Sequence, residues 1–362
     1  MLHDLPTPSI EICAETFERN LRKLAAYTKE HGLGLRPHSK THKSTFIGKK
    51  QMEAGAIGMT VAKAGEAAVM AEICGDILMA YPAVDGFRCH ELAVLARSKT
   101  IRVAIDSAHA ATFLGLAAKS AKSTIGILVD IDVGLHRTGV QSLEDSLKLA
   151  RHVSKIKELR LDGIMFYPGH VSLAMAKEGR VIREIDAKIG EAIELWKKNG
   201  LEARIVSGGS TPTAYFSHEF ENMTELRPGT YIYHDMNGVH GGFATLDECA
   251  ARIVATVVST AVPGQFVIDA GSKTLTSDKC GPAPESGHGY VVEYPEAKIV
   301  KLTEEHGQVD VTRCAKSPKV GERVTVIPNH ICPCINLQDV VWWREKGQRA
   351  LAIDIQARGK VI

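Results

Sequence analysis

The sequence lacks the features that define several large classes of protein. No apolar run approaches the roughly 18 residues of a membrane-spanning helix, which predicts no membrane partner. Lysine and arginine (44) barely exceed aspartate and glutamate (42), so the net charge of +2 indicates no nucleic-acid partner. There is no low-complexity tract and no internal repeat beyond the alternation described below. A small-molecule partner is therefore the best prediction from composition.

The cysteines do not form a disulfide framework. Eight cysteines are scattered along 362 residues, and four of them lie between residues 280 and 334. The first ten residues, MLHDLPTPSI, lack the basic and then apolar segments of a secretory signal. We therefore expect a cytoplasmic protein whose cysteines are free thiols.

Residues 9–245 alternate short β-branched or apolar runs with amphipathic segments, which is the pattern of successive βα units. Eight such units fit the count and the length of a (β/α)8 TIM barrel, with a doubly wound open sheet as the alternative. The predicted strands are 33–40, 58–62, 76–81, 101–106, 124–132, 160–167, 203–207 and 225–233, with helices over 64–73, 107–121, 142–158 and 171–199.

Helical periodicity stops after about residue 245, and the remaining chain predicts a C-terminal all-β domain over residues 246–362, which residues 1–8 could join. The apolar runs between its Gly/Pro turns predict strands at 251–258, 265–269, 289–294, 298–302, 323–327, 340–343 and 350–355.

Polar residues gather where the predicted barrel strands end, which is where barrel enzymes place their reactive groups. Lys40 ends predicted strand 1 in a context that looks buried, and predicted strand 7 runs into a glycine-rich segment, Ser207–Thr211. Backbone N–H groups of such a segment can bind a phosphate, and a desolvated lysine can form a Schiff base. A lysine facing a phosphate site across a barrel is what pyridoxal phosphate (PLP) requires.

Six motifs give the chain a resemblance to a known family: RPHSKTHK, DVGLHRTGV, SGGST, ELRPGTY, DAGSKTLTSD and PNHICPCINLQD. It resembles the D-threonine aldolase and D-serine dehydratase group of fold-type III PLP enzymes, which are relatives of alanine racemase. The resemblance implies a homodimer with Lys40 as the Schiff-base lysine, Arg137 on the cofactor's phenolic oxygen and Tyr167 beside the ring. It also implies a phosphate site formed by Ser207, Gly208, Gly209, Ser210, Gly229 and Thr230.

Arg227 matches the position at which alanine racemases place an arginine on the pyridine nitrogen. A guanidinium has no acceptor and keeps its proton, so this nitrogen would stay unprotonated and the ring would be a weaker electron sink. A reaction on such a cofactor benefits from a second electrophile.

The sequence His330-Ile331-Cys332 suggests that electrophile. On a strand, residues i and i+2 point to the same side, so the imidazole and the thiolate could bind one metal ion. The resemblance implies a divalent metal on a His-x-Cys or His-x-Asp pair, with the cysteine version similar to D-serine dehydratases. A thiolate ligand favours zinc, with manganese as the alternative. Cys334 stands close by and leaves open which sulfur binds.

These residues predict a lyase that acts on a D-amino acid with a β-hydroxyl group. Dehydration to a keto acid and ammonia is the leading hypothesis, and cleavage to glycine and an aldehyde is the alternative. A racemase would need a second base that the sequence does not reveal, and a non-catalytic PLP carrier is an alternative of another class. Lys43 is an alternative Schiff-base lysine. Three histidines, His38, His42 and His170, could contact the site or pack against the barrel. The role of segment 269–278 is not assigned.

Overall fold

The computed structural model describes residues 5–362, so the first half of the 1–8 segment lies outside the described residues. By its contacts the described chain forms two compact units. The barrel unit comprises residues 23–40, 47–229 and 360–362, and the β unit comprises residues 5–22, 41–46 and 230–359. The sequence-based ranges are 9–245 and 246–362, whereas the β unit also contains residues 9–22, 41–46 and 230–245. Residues 9–13 belong to it because they pair with strands of the C-terminal sheet.

The strands of the described chain are, in order, β1 (Ser9–Cys13), β2 (Gly34–Leu35), β3 (Met59–Val61), β4 (Asp76–Met79), β5 (Thr100–Ile105), β6 (Ile125–Ile131), β7 (Leu159–Phe166), β8 (Ile205–Gly208), β9 (Glu225–Leu226), β10 (Ala251–Ser259), β11 (Gln265–Ile268), β12 (Tyr290–Val291), β13 (Lys298–Leu302), β14 (Gly307–Asp310), β15 (Arg323–Ile327), β16 (Val340–Arg344) and β17 (Leu351–Asp354).

The helices are α1 (Ala14–Glu30), α2 (Thr45–Glu53), α3 (Ala64–Met70), α4 (Gly86–Leu95), α5 (Ala108–Ala121), α6 (Leu143–Ser154), α7 (Leu173–Glu178), α8 (Arg180–Lys198), α9 (Met236–His240), α10 (Ser272–Leu275) and α11 (Ile331–Asn336). Ser107 and Ser142 cap α5 and α6 by accepting a backbone N–H with the side chain, which is why both helices begin there. The predicted helix 171–199 is two helices, because Gly179 adopts φ +69° between α7 and α8. No helix within residues 5–362 is both long and apolar enough to cross a membrane.

The barrel unit is an eight-stranded parallel sheet in the order β2-β9-β8-β7-β6-β5-β4-β3. A parallel bridge between His38 and Thr60 joins its two edges, and the Thr60 N–H donates to the Pro37 carbonyl over 2.8 Å. The eight predicted strands all match strands of this sheet, so the (β/α)8 barrel is confirmed and the open sheet is not formed. β2 and β9 are much shorter than predicted, and Pro37, which has no N–H to donate, follows β2.

The barrel interior is apolar in the middle and charged at the amino-terminal end. Leu78, Ala104, Leu128 and Met165 form an apolar layer across β4–β7. Arg36 donates two hydrogen bonds to the Glu225 carboxylate (2.9 and 3.0 Å), one to the Asp76 carboxylate (2.6 Å) and one to the Asp76 carbonyl (3.5 Å). The chain of ion pairs continues from Asp76 through Arg102 to Asp162 and Arg160. Acid and base alternate along it, so the buried charges are compensated.

The β unit is a nine-stranded sheet in which seven strands have the order β13-β14-β11-β10-β1-β16-β17. β15 pairs with β10, and β12 pairs with β15. All seven strands predicted after residue 250 are present, and β14 and β1 are strands that the sequence analysis missed. The hydroxyl groups of Thr7 and Thr256 lie 2.5 Å apart, and Arg323 donates to the Leu5 carbonyl over 3.1 Å. The described part of segment 1–8 therefore contacts this unit.

Candidate active site

The barrel side chains that the sequence singled out follow the carboxyl ends of the strands, which we call the rim. Lys40 lies in a 3-10 turn, Ser39–Thr41, after β2, and Arg137 lies in the loop after β6. Tyr167 follows β7, and Arg227 follows β9. Residues 207–210 span the end of β8 and the turn after it. The rim therefore carries an amine, two guanidinium groups, a phenol and a glycine-rich turn.

Lys40 is exposed, so the buried environment expected from the sequence is wrong. The expectation assumed that strand 1 runs to residue 40, whereas β2 ends at Leu35 and the following turn carries the lysine to the open end of the barrel. His38 shapes this turn, because its Nδ1 accepts the Lys40 backbone N–H over 3.3 Å.

Lys43, the alternative lysine, is buried in the β unit and its Nζ donates to the Ala357 carbonyl over 3.3 Å. His42 accepts the Ser44 N–H at Nδ1 over 3.1 Å. Both side chains thus bond to the backbone of their own unit, whereas Lys40 extends toward solvent. His170 is half-buried in the barrel unit beside Gly134.

The turn after β8 is buried and tightly packed. A Cβ on Gly208 would overlap the Phe166 ring, and Gly209 adopts φ +79° with its backbone close to Leu226. The Ser210 hydroxyl lies 2.9 Å from that of Thr213, which is also buried. Gly229 is buried at the end of the barrel unit, while Thr230 begins the next turn in the β unit.

Arg227 is buried and held from two sides. It donates to the Ser207 hydroxyl (2.7 Å) and to the Phe166 carbonyl (2.9 Å). Ser207 in turn donates to Glu225 over 2.6 Å, so the Ser207 hydroxyl, predicted at the phosphate, connects Arg227 to the ion pairs of the barrel interior. Burial lowers the pKa of Arg227 to about 10, which still leaves it protonated at neutral pH.

Arg137 lies over the ring of Tyr167, with the guanidinium carbon 4.9 Å from the ring centroid. This cation–π contact brings together two residues that the resemblance assigns to the cofactor. The contact joins the loop after β6 to the end of β7.

His330 and Cys332 are not on a strand, so the predicted strand geometry is wrong. His330 is the extended residue before α11, and Cys332 lies in the first turn of that helix. The helix begins here because the carboxylate of buried Asp235 accepts the Ile331 N–H over 3.1 Å, and Pro333 is tolerated in a first turn. The two side chains nevertheless lie close enough for each to stabilise the charged form of the other.

The surroundings favour a thiolate at Cys332. Burial opposes ionisation, but the hydrogen bond and charge of His330 and the Thr41 hydroxyl outweigh it and lower the pKa of the Cys332 thiol. Burial likewise disfavours a charged His330, but Cys332, Asp235 and Asp278 raise the pKa of His330 to about 9.

The structure distinguishes the two cysteines of this segment. Cys334 is fully buried, and its thiol lies 3.4 Å from the Leu275 carbonyl and 3.2 Å from the His330 carbonyl. Burial raises the pKa of Cys334 well above that of an ordinary thiol. Cys334 is thus a core thiol that burial keeps protonated, whereas the groups around Cys332 lower the pKa of its thiol.

Sequence reasoning missed Asp278, whose carboxylate lies 3.0 Å from His330 Nδ1. It ends the polar segment 269–278, for which no role could be assigned. The available signal was its polarity within a β domain, but no spacing rule connects residue 278 to residue 330.

The residues present fit both PLP and a divalent metal. In the barrel unit, the exposed amine of Lys40 suits the aldehyde of PLP, the buried turn at Gly208 and Gly209 suits its phosphate, and the buried Arg227 suits its ring nitrogen. In the β unit, the fully buried Tyr233 hydroxyl has no protein hydrogen-bond partner among residues 5–362 and is close enough for Cys332 to influence its ionisation. No group of three or more His, Cys, Asp or Glu side chains in that range could hold a metal. A metal on His330 and Cys332 would therefore keep positions for water and substrate, as catalytic sites do.

Comparison with known proteins places this arrangement in a family. The alanine racemase N-terminal domain model matches residues 12–237, and the putative serine dehydratase domain model matches residues 250–343. The chain is 31% identical to the D-threonine aldolase of Arthrobacter sp. over 98% of this chain and 93% of that protein. It is 28% identical to the D-threo-3-hydroxyaspartate dehydratase of Delftia sp. (strain HT23) over 91% of each chain. The crystal structure of D-threonine aldolase from Filomicrobium marinum superposes with a TM-score of 0.91 at 28% identity, covering 99% of this chain and 97% of that one.

The barrel and its rim therefore define an alanine racemase-like PLP enzyme. Within that class, the chain belongs to the D-threonine aldolase and D-serine dehydratase group, and it is a lyase. The resemblance stated from the motifs is confirmed, and neither the racemase nor the non-catalytic carrier describes it.

Proposed function

We propose that the protein is a PLP- and divalent-metal-dependent lyase that dehydrates D-β-hydroxy-α-amino acids to a keto acid and ammonia. The observation that carries the metal and the dehydration is the pair of His330 and Cys332 at the start of α11, with the pKa of the Cys332 thiol lowered, because the His-x-Cys form of the pair is the one similar to D-serine dehydratases. We place zinc on this pair, with manganese as the alternative, and include a cytoplasmic homodimer in the proposal.

In this proposal each end of the cofactor has its own protein group. Lys40 forms the covalent link, the turn 207–210 with Gly229 and Thr230 binds the phosphate, and Arg227 donates to the pyridine nitrogen. Arg137 and Tyr167 contact the phenolic oxygen and the ring. The support from the barrel is the exposed amine of Lys40 and the fixed, protonated guanidinium of Arg227.

PLP would stabilise negative charge at the substrate's α carbon, and the metal would act as a Lewis acid on the β-hydroxyl leaving group. Lys40 Nζ would take the α proton. Arg227 would keep its own proton, because the Ser207 and Phe166 acceptors hold the guanidinium and its pKa of about 10 lies above neutral. A ring nitrogen without a proton limits charge delocalisation, so departure of the hydroxyl would depend more on the metal.

Aldol cleavage to glycine and an aldehyde is the second candidate. The observation that favours it is identity, since the D-threonine aldolase relative is 31% identical and the dehydratase relative 28%. The two reactions differ in whether a base removes the α proton or the hydroxyl proton.

Product analysis separates the candidates. The purified protein is incubated with D-serine, D-threonine and β-hydroxy-D-aspartate, each with and without zinc or manganese. We expect metal-dependent release of keto acid and ammonia. If glycine and an aldehyde are the main products, the reaction is aldol cleavage and the proposed dehydration is wrong. If the rates are unchanged after exhaustive chelation, the metal has no part in the reaction.

Variants of the two cysteines test the metal pair. Cys332→Ala should lose the bound metal and the lyase activity while it keeps the visible absorption of bound PLP. Cys334→Ala should keep the metal and lose about 1 kcal/mol or more of stability, since it leaves a small cavity in the core. Metal analysis and urea unfolding measure both effects, and loss of metal from Cys334→Ala alone would assign the ligand to the other sulfur.

A further inference from the structure

Asp278 is tied to the residues around His330 by two separate contacts. Its carboxylate Oδ2 lies 3.0 Å from His330 Nδ1. Its backbone carbonyl accepts the side-chain amide of buried Asn329, the residue before His330, over 3.0 Å. The same amide donates to the Gly287 carbonyl over 2.9 Å, so the segment before His330 is fixed to two loops.

The contact between Asp278 and His330 contributes little to the stability of the fold. The side chains are 47% and 39% exposed, and ion pairs at such exposure contribute about 0–1 kcal/mol. The contact is directional, however, because a carboxylate on Nδ1 requires the proton to sit on that nitrogen. When a metal displaces the other ring proton, Nε2 is the lone-pair donor of the neutral imidazole.

We propose that Asp278 is a positioning residue for the metal centre: it holds the imidazole of His330 in the tautomer and the rotation in which Nε2 acts as the ligand together with Cys332. Carboxylates that accept the second N–H of a ligating histidine raise its basicity and fix its ring. The inference rests on the proposed function, because it assigns Asp278 a role at the metal that the function requires.

The test measures zinc binding by the full-length, PLP-loaded protein, using competition with a chromophoric chelator and metal analysis after dialysis. Asp278→Ala should bind zinc about 10- to 100-fold more weakly than the parent. Asp278→Asn, which keeps an acceptor without its charge, should fall between the two. Asp354→Ala, which removes an exposed aspartate of the same unit, is the matched control and should bind zinc like the parent.

Cobalt substitution reports on the ligands themselves. At saturating cobalt, Asp278→Ala should keep the thiolate-to-cobalt charge-transfer absorption, whereas Cys332→Ala should lose it. The PLP absorption and the thermal midpoint of Asp278→Ala should match the parent, and Asp278→Asn replaces it if the alanine variant does not fold.

The outcomes separate the two claims. Parental zinc affinity in both Asp278 variants would overturn the positioning role and leave the proposed function in place. A parent protein that binds zinc no better than Cys332→Ala would overturn the metal site, and the role of Asp278 with it.

Discussion

At the scale of single residues, burial and hydrogen bonding separate chemically similar side chains. Lys40 is exposed, whereas Lys43 is buried and bonded to the Ala357 carbonyl. Cys332 has a lowered pKa and Cys334 a raised one, two positions further on. Residue type alone cannot distinguish the members of either pair, because the difference comes from neighbours that are distant in sequence.

Replacement of Lys40 by alanine should abolish the visible absorption of the PLP Schiff base, because only a free amine can form the imine. Lys43→Ala should keep that absorption and lose some stability through its buried contact. Borohydride reduction followed by peptide mapping identifies the modified lysine. A reduced adduct on Lys43 in the parent protein would contradict the assignment.

Asp130 makes stability depend on pH. Burial, only partly offset by the Thr138 hydroxyl and Arg227, raises the pKa of Asp130 to about 6 from an ordinary 3.8. Between these values the folded state holds a proton that the unfolded state has lost, so stability falls as pH rises from about 4 to 6. The shift corresponds to roughly 3 kcal/mol at pH 7.

The Asp130→Asn variant should therefore be more stable than the parent at pH 7 and should show a smaller loss between pH 4.5 and 6.5. Urea unfolding of the two proteins across this range measures the effect. If the free energy of unfolding changes with pH in the same way in both proteins, Asp130 is not the group that causes the pH dependence.

At the scale of elements, the end of β8 shows how packing constrains the rim. A Cβ on Gly208 would overlap Phe166, which packs against Phe220 with ring centroids 5.6 Å apart. The turn is thus part of the core as well as a candidate phosphate site.

Gly208→Val should accordingly destabilise the barrel by about 1–3 kcal/mol or more, since overpacking forces neighbouring side chains to move. Urea unfolding of the PLP-free protein measures this independently of cofactor binding. The matched variant is Gly75→Val, because Gly75 is exposed, has open space around a Cβ and has no positive φ, so it reports the effect of valine without overlap. Equal stability of Gly208→Val and the parent would contradict the packing at Phe166.

At the scale of the whole molecule, the barrel is held by alternating charges as well as by its apolar layer. Arg36 is 2% exposed and compensates both Glu225 and Asp76. Glu225 also accepts the Ser207 hydroxyl that fixes Arg227, so the interior charges extend to the rim. Loss of one member leaves its partners buried without compensation.

Arg36→Met should cost about 3–5 kcal/mol, because it leaves the buried Glu225 carboxylate unpaired. The double variant Arg36→Met/Glu225→Gln should regain part of this loss, and a double-mutant cycle by urea unfolding measures the coupling. If the losses in the free energy of unfolding of the two single variants simply add in the double variant, Arg36 and Glu225 are not energetically coupled.

The sequence by itself determined the barrel, the β domain and the segments that carry polar residues, because periodicity and turn residues are local and the strand ends of a barrel meet at one rim. It could not determine that β1 belongs to the β unit, since that depends on pairing with β10 and β16. It also placed His330 and Cys332 on a strand, whereas Asp235, almost a hundred residues earlier, starts a helix there. The exposure of Lys40, the hold of Glu225 on Arg227 through Ser207 and the contact of Asp278 with His330 were decided by tertiary structure, because each depends on groups that only folding brings together.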